Sequence, residues 1–306
     1  MTAFLLRRLA QTIPLALLVA TLVFSLIHLI PGDPVEMMLG EGAQRSEVDT
    51  LRVELGLDRP LSAQYLSFLG GLVRADLGRS LHFREPVAKI LAQHYPATIE
   101  LTVASMLVAL AISIPLGVVA ASRRNQFADH FSRVLALVGV SMPNFWLGPM
   151  LILLFAIQLD LFPVSGRGGW LSLVLPALTL GTALAGLLTR MVRSSVAEEL
   201  DKPYLAAVQA KGLQRGLALR RHALKNASIP VVTIVGLQFG ALLTGAIITE
   251  TIFSWPGIGR LVIQAIRLRD YPLVQGSVLA IALTYILLNL ITDVVYAALD
   301  PRIRVT

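Results

Sequence analysis

Five histidines, at positions 28, 82, 94, 130 and 222, are the first residues to test for chemistry. A zinc hydrolase uses His-Glu-x-x-His, because two imidazoles four residues apart share one helix face. None of the five is paired at that spacing. A phosphate-cradling loop needs glycines that expose backbone N–H groups and a lysine directly after the last of them. The four lysines, Lys89, Lys202, Lys211 and Lys225, follow Ala, Asp, Ala and Leu, so ATP hydrolysis by that route is closed to this chain. A serine-hydrolase elbow reads G-x-S-x-G; "PVSGRGG" around Ser165 lacks the leading glycine and reads as a flexible loop. An aspartyl protease working inside a membrane needs two facing carboxylates, yet only Asp293 sits clearly within an apolar run, with Glu250 at the edge of another. There are no cysteines, which removes disulfides, thiol catalysis and Fe–S clusters.

With catalysis set aside, the elements around these residues carry the reading. Of 306 residues 55% are hydrophobic and only 15% charged, against about 45–50% apolar and about 25% charged in soluble domains. The mean hydropathy is +0.72. The apolar residues fall in long runs, which predicts an all-α integral membrane chain of one domain, 1–306, with six transmembrane helices. The expected spans are Leu9–Ile30, Leu101–Ala121, Leu135–Ile157, Leu171–Leu188, Val231–Ile248 and Val278–Leu299. Each is near the ~20 residues that cross a hydrocarbon core. The first, after Arg7 and Arg8, is too long for a signal-peptide core and is read as a retained helix.

The net charge of +7 is the excess of Lys and Arg that cytosolic loops collect, and implies no nucleic acid. Arg7, Arg8, Arg123, Arg124, Arg133, Arg190, Arg193, Arg302 and Arg304 all fall on one side, against Arg167, Arg260, Arg267 and Arg269 on the other, so both termini are expected in the cytosol. The long outer segment, 31–98, carries acids such as Glu41, Glu47, Asp49 and Glu54. Two amphipathic helices are expected in it. One places Leu61, Tyr65, Leu66, Phe68, Leu69 and Leu72 on a face; the other, opened by Pro86 and closed by Pro96, shares Val87, Ile90, Leu91 and His94. They cover an outer pore mouth or lie on lipid.

Between spans four and five, segment 190–230 is crowded with cations: Lys211, Arg215, Arg220, Arg221 and Lys225. Lys202-Pro203 starts a helix, with Asp201 near its positive end, and Lys211-Gly212 stops it. Tyr204, Leu205 and Val208 form an apolar face, while Ala206 and Ala207 keep the helix slim enough to enter a groove. A second piece, about Leu217 to Lys225, leads to Pro230 and span five. Such a helix either lies on anionic headgroups or docks into another cytosolic protein.

This stretch resembles the EAA loop of ABC-importer permeases of the peptide/nickel branch. The turn positions are Ala206, Ala207 and Val208, the glycine is Gly212, and "HALKNASIP" supplies His222, Leu224, Asn226 and Pro230. Ala206 stands where that family places Glu. "IPGDPV", "LGLDRPL", "DLGRS", "PVAKI", "YPATIELT", "MPNFWLG", "ETIFSWPGIGRL", "DYPLVQG" and "DPRIR", in this order, extend the likeness along almost the whole chain to the B-type permease of dipeptide/oligopeptide importers. The resemblance implies a type I importer fold in the cytoplasmic (inner) membrane. It implies a second homologous permease, two ATPase subunits that hold ATP and Mg, and an extracytoplasmic binding protein; this chain binds no cofactor. The ATPase-coupling loop it points to contains Tyr204, Leu205, Ala206, Ala207, Val208, Lys211, Gly212, His222, Leu224, Asn226 and Pro230.

Three further residues are candidates for a pathway or gate. Asp293 lines a path or bonds a neighbouring helix. Gln238 is an interhelical hydrogen-bonding residue. Trp255, with Phe253, sits at the headgroup level or belongs to a re-entrant piece touching an outer gate or the binding protein. Membrane lipid is the remaining partner. Gly236 and Gly240 have the G-x-x-x-G spacing that lets helices approach. A stand-alone secondary transporter is the alternative to a transport subunit, and an intramembrane enzyme lacks its constellation.

Overall fold

The apolar runs become long helices because only an internally bonded backbone is tolerated in hydrocarbon. A computed structural model describes residues 2–29, 33–40 and 44–299. The side chains of Arg7 and Arg215, and residues Pro31, Glu41, Asp300, Arg302 and Arg304 altogether, fall outside the description. The helices are α1 Thr2–Leu29, α2 Pro34–Leu39, α3 Arg45–Glu54, α4 Leu61–Val73, α5 Val87–Ser122, α6 Phe127–Ser141, α7 Asn144–Leu151, α8 Trp170–Leu200, α9 Pro203–Ala210, α10 Arg215–Ala218, α11 Leu224–Gly245, α12 Ile247–Ile252, α13 Ile258–Arg267 and α14 Tyr271–Leu299. Wide π turns at Ile152–Gln158 and Leu219–Ala223 extend α7 and join α10 to α11. Among the described residues five helices are long and apolar enough to span a bilayer; the bent pair 127–141 and 144–158 makes a sixth if counted as one span.

That bend corrects the third span, expected as one helix over 135–157. The chain turns by 99° between the two halves. Met142 precedes a proline and takes an extended conformation, φ −80° and ψ 116°, since the pyrrolidine ring crowds a helical residue before it. The second span shows the opposite error. Pro96 does not close a separate amphipathic helix: α5 runs through it for 36 residues. The Tyr95 side chain meets Thr284 Oγ1 at 2.7 Å, and Thr98 Oγ1 accepts the Ile258 N–H at 2.9 Å, so neighbours brace the helix on both sides of the proline.

The described residues form two compact units, one within 99–255 and 288–299, the other within 2–98 and 256–287. In the second unit, Val87, Ile90 and Leu91 pack with Leu261, Ala265 and Leu273. Phe68, Leu69 and Leu72 of α4 lie against Ala20, Val23 and Leu279, and Tyr65 meets Thr21 at 2.7 Å. Leu61 and Leu66, expected on that face, are instead exposed. Asp270 organises this unit. Buried, it accepts from the Ser80 hydroxyl, the His82 N–H at 3.1 Å and the Leu273 N–H at 3.2 Å. The "DLGRS" and "DYPLVQG" stretches are thereby tied to one carboxylate. In the first unit, Asp129 of α6 is buried against Arg193 of α8 through two bonds, 2.7 and 2.9 Å, a paired geometry that a carboxylate and guanidinium match in shape.

Candidate functional site

Helix α9 is eight residues long, too short to hold itself together in water. Its ends are set locally. Lys202 is extended, φ −76° and ψ 140°, and Pro203 occupies the first turn, where its missing N–H costs nothing. Gly212 follows Lys211 with φ +92°. Nothing lies within 4 Å of where a Cβ would be, so the left-handed backbone, not crowding, demands glycine there.

The apolar face of α9 turns inward. Leu205 is 2% exposed and clusters with Ala218 and Ala223, with Leu200, Tyr204, Leu213 and Leu219 packed around it. Tyr204 and Val208 are half-buried, while Ala206 and Ala207 are exposed. The expected apolar face is thus the one covered by the chain itself: Leu205 anchors α9, and the alanines are the exposed side. An eight-residue helix needs its apolar side covered to persist, and the nearest cover is the chain itself.

Glu199, in the last turn of α8, is 7% exposed. It takes the Lys202 ammonium on Oε1 and the Tyr204 hydroxyl on Oε2 at 2.7 Å. Asn226 Nδ2, in the first turn of α11, donates to the same Tyr204 oxygen at 3.1 Å. Three elements, α8, α9 and α11, therefore meet on one buried carboxylate. Burial, and then the bond to Glu199, raise the Tyr204 pKa above its ordinary 10.0. The bond to Glu199 raises that of Lys202 above 10.5. Lys202 remains largely in solvent, so its ion pair is screened and the tyrosine bond is the stiffer connection.

The remaining loop residues follow along one rod. The π turn places His222 half-buried and Arg220 and Arg221 exposed. Leu224 packs against a core of Ala121, Val192, Val196 and Ala227. Pro230 lies inside α11, which corrects the expected division between a second piece at Leu217–Lys225 and a span starting at Val231: residues 216–243 form one apolar rod. Lys211 caps α9 and is exposed. Glu199 itself escaped the sequence reading, because Pro203 breaks the helical register that would relate it to Tyr204. The only local trace was the Glu-Lys pair three residues apart.

The gate candidates stand elsewhere. Gln238 and Asp293 are half-buried, on α11 and α14. Gly236 lies so close to Thr292 that an added Cβ would come within 2.8 Å of its Cγ2, so the small residue does permit a close crossing. Trp255 is fully buried and Phe253 1% exposed, which corrects the headgroup reading. Phe253 packs with Ala156 and Leu175 and accepts the Gly166 N–H at 2.8 Å, while the Trp255 N–H closes onto Glu250 O at 2.8 Å. The turn after α12 thus folds back into protein. Among the described residues no three His, Asp or Glu side chains gather as a metal site.

The family model described as binding-protein-dependent transport system inner membrane component matches residues 113–305, and its N-terminal companion matches 1–102. The chain belongs to this family. It is 44% identical over 336 residues to the dipeptide transport system permease protein DppB of Escherichia coli K12, covering 99% of each chain. It is 41% identical over 304 residues to the glutathione transport system permease protein GsiC of Pectobacterium atrosepticum, again over 99% of each. An inward-facing MetNI methionine ABC transporter shares the fold, with TM-score 0.55 and 18% identity over 69% of this chain and 96% of that one. The permease is therefore a non-catalytic membrane subunit of an ABC importer, made of several apolar helices in the inner membrane, and not a secondary transporter.

Proposed function

We propose that this permease forms half of a pathway for short peptides and is driven through segment 190–230 by ATPase subunits that hold ATP and Mg. The observation that carries the reading is α9: a short helix stopped by a left-handed glycine, bound to its own chain by Leu205, and presenting Ala206 and Ala207 outward. Small exposed side chains suit insertion into a cleft. Moving a bundle between two states from 1:99 to 99:1 takes about 5.5 kcal/mol of differential binding. A short helix packed against the chain that follows it can carry that, whereas a loose tether dissipates it.

In this reading a second, homologous permease completes the pathway and an extracytoplasmic binding protein delivers substrate. Six spans cross the membrane, both termini are cytosolic, and segment 31–98 lies outside. Asp293 and Gln238 belong to the pathway side of α14 and α11. Peptides follow from the two relatives, named for a dipeptide and for glutathione. The test is a single cysteine at Ala207 in this naturally cysteine-free chain, with the whole importer purified in lipid. Cross-linking of Ala207→Cys to a nucleotide-hydrolysing subunit is expected; capture of lipid alone overturns the proposal.

A further inference from the structure

Glu199 is a buried acid that ATP-driven transport as derived so far does not use. From α8 it reaches two further elements: α9, through Lys202 at its N-cap and Tyr204 within it, and the start of α11, through Asn226 relayed by the Tyr204 hydroxyl. Helices α8 and α11 are both long enough to span the membrane, and α9 stands between them in sequence. Apolar contacts in this loop, made by Leu205 with Ala218 and Ala223, resist separation but allow sliding, because dispersion is not directional. A hydrogen bond to a buried carboxylate does fix direction.

We propose that Glu199 is a positioning residue that splints the coupling helix, so that α9, the end of α8 and the start of α11 move as one body when a partner pushes on Ala206 and Ala207. The proposal rests on the coupling reading above. Its chemistry is specific: the acceptor must reach the Tyr204 hydroxyl, and the hydroxyl must also receive Asn226. A carboxamide at position 199 keeps an acceptor oxygen; an aliphatic side chain of similar volume keeps only the packing.

The test uses spin labels at Ala207→Cys and Ser228→Cys in the full importer, with and without ATP and vanadate, beside the Ala207→Cys cross-link. With Glu199 and Tyr204 intact, the distance distribution is narrow and stays so when nucleotide is added. Tyr204→Phe and Glu199→Leu, which both break the Tyr204–Glu199 bond, raise the population outside the main peak at least about tenfold, the effect expected for losing that bond to a charged group alone, while the cross-link to the ATPase persists. Glu199→Gln retains the narrow distribution. Unchanged distributions in Tyr204→Phe and Glu199→Leu, with cross-linking intact, overturn the splint but leave the coupling reading standing. Broadening in Glu199→Gln equal to that in Glu199→Leu overturns the acceptor role. Absence of the cross-link with Glu199 and Tyr204 intact overturns the coupling reading and the splint with it. A general loss of structure shows instead as lower yield of assembled importer, and Tyr204→Phe, which removes one oxygen, guards against it.

Discussion

The turn at Ser80–His82 and the loop around α9 are each fastened to a buried carboxylate, and the two carboxylates are held differently. Asp270 takes two of its three bonds from backbone N–H groups, of His82 and Leu273, and the third from Ser80. Glu199 is held by side chains, Lys202 and Tyr204, with Asn226 behind. Backbone donors belong to the fold and cannot leave without unfolding a turn. Side-chain donors can rotate away at the cost of a rotamer change. The first arrangement suits a fixed fastening between turn 76–80 and the start of α14. The second suits a joint whose stiffness one side chain can alter. The difference teaches that a buried acid by itself does not announce its role; the kind of donor around it does.

The largest expected effect follows from the fixed fastening. Asp270→Ala leaves a hydroxyl and two N–H groups without their acceptor, at a cost of about 1–3 kcal/mol each. It should abolish recovery of folded protein in detergent, with Asp270→Asn recovering part of it. Thermal stability equal to that of the unsubstituted chain in the Ala variant would mean that Asp270 is no fastening at all. Next comes the end of α9. Gly212→Val forces a β-branched residue to φ +92°, at about 1–2 kcal/mol for the left-handed backbone. It should reduce uptake severalfold while leaving membrane insertion intact. Gly212→Asn should stay close to normal, because asparagine tolerates that conformation and no neighbour crowds the site. Equal loss in both variants would place the requirement in sterics instead of backbone conformation.

The smallest effect concerns pH. The pKa of Lys202 lies above its ordinary 10.5 and that of Tyr204 above 10.0. A raised lysine pKa contributes stability that is complete below the unfolded value and is lost as pH climbs through the folded one. Neither group changes charge between about pH 7 and about pH 9. The joint should therefore be flat over that range, read as the Ala207–Ser228 label distance; broadening there would show a different group holding α9.

Segment boundaries that depend on neighbours were legible in the sequence only in part. The helix 203–210, its proline start and its glycine stop were legible because propensity and capping are local. The inward turn of Leu205 was not, since covering an apolar face is decided by what lies across from it, here Ala218 and Ala223. Pro96, Pro143 and Pro230 make the same point together. All three remove an N–H, yet only Pro143 breaks its helix, because prolines inside spanning helices are tolerated where neighbours re-satisfy the freed groups.

What the sequence by itself determined is the class of molecule. Apolar length marks a helical membrane protein, and a run of motifs marks its family, that of importer permease subunits. These are properties of composition and near-neighbour order. Only the tertiary structure decided that Asp129 faces Arg193, that Trp255 is buried instead of resting at a headgroup, and that Glu199 receives Tyr204. Burial and hydrogen bonding of a side chain are set by residues far along the chain, 64 positions in the case of Asp129 and Arg193, and no local pattern encodes that distance.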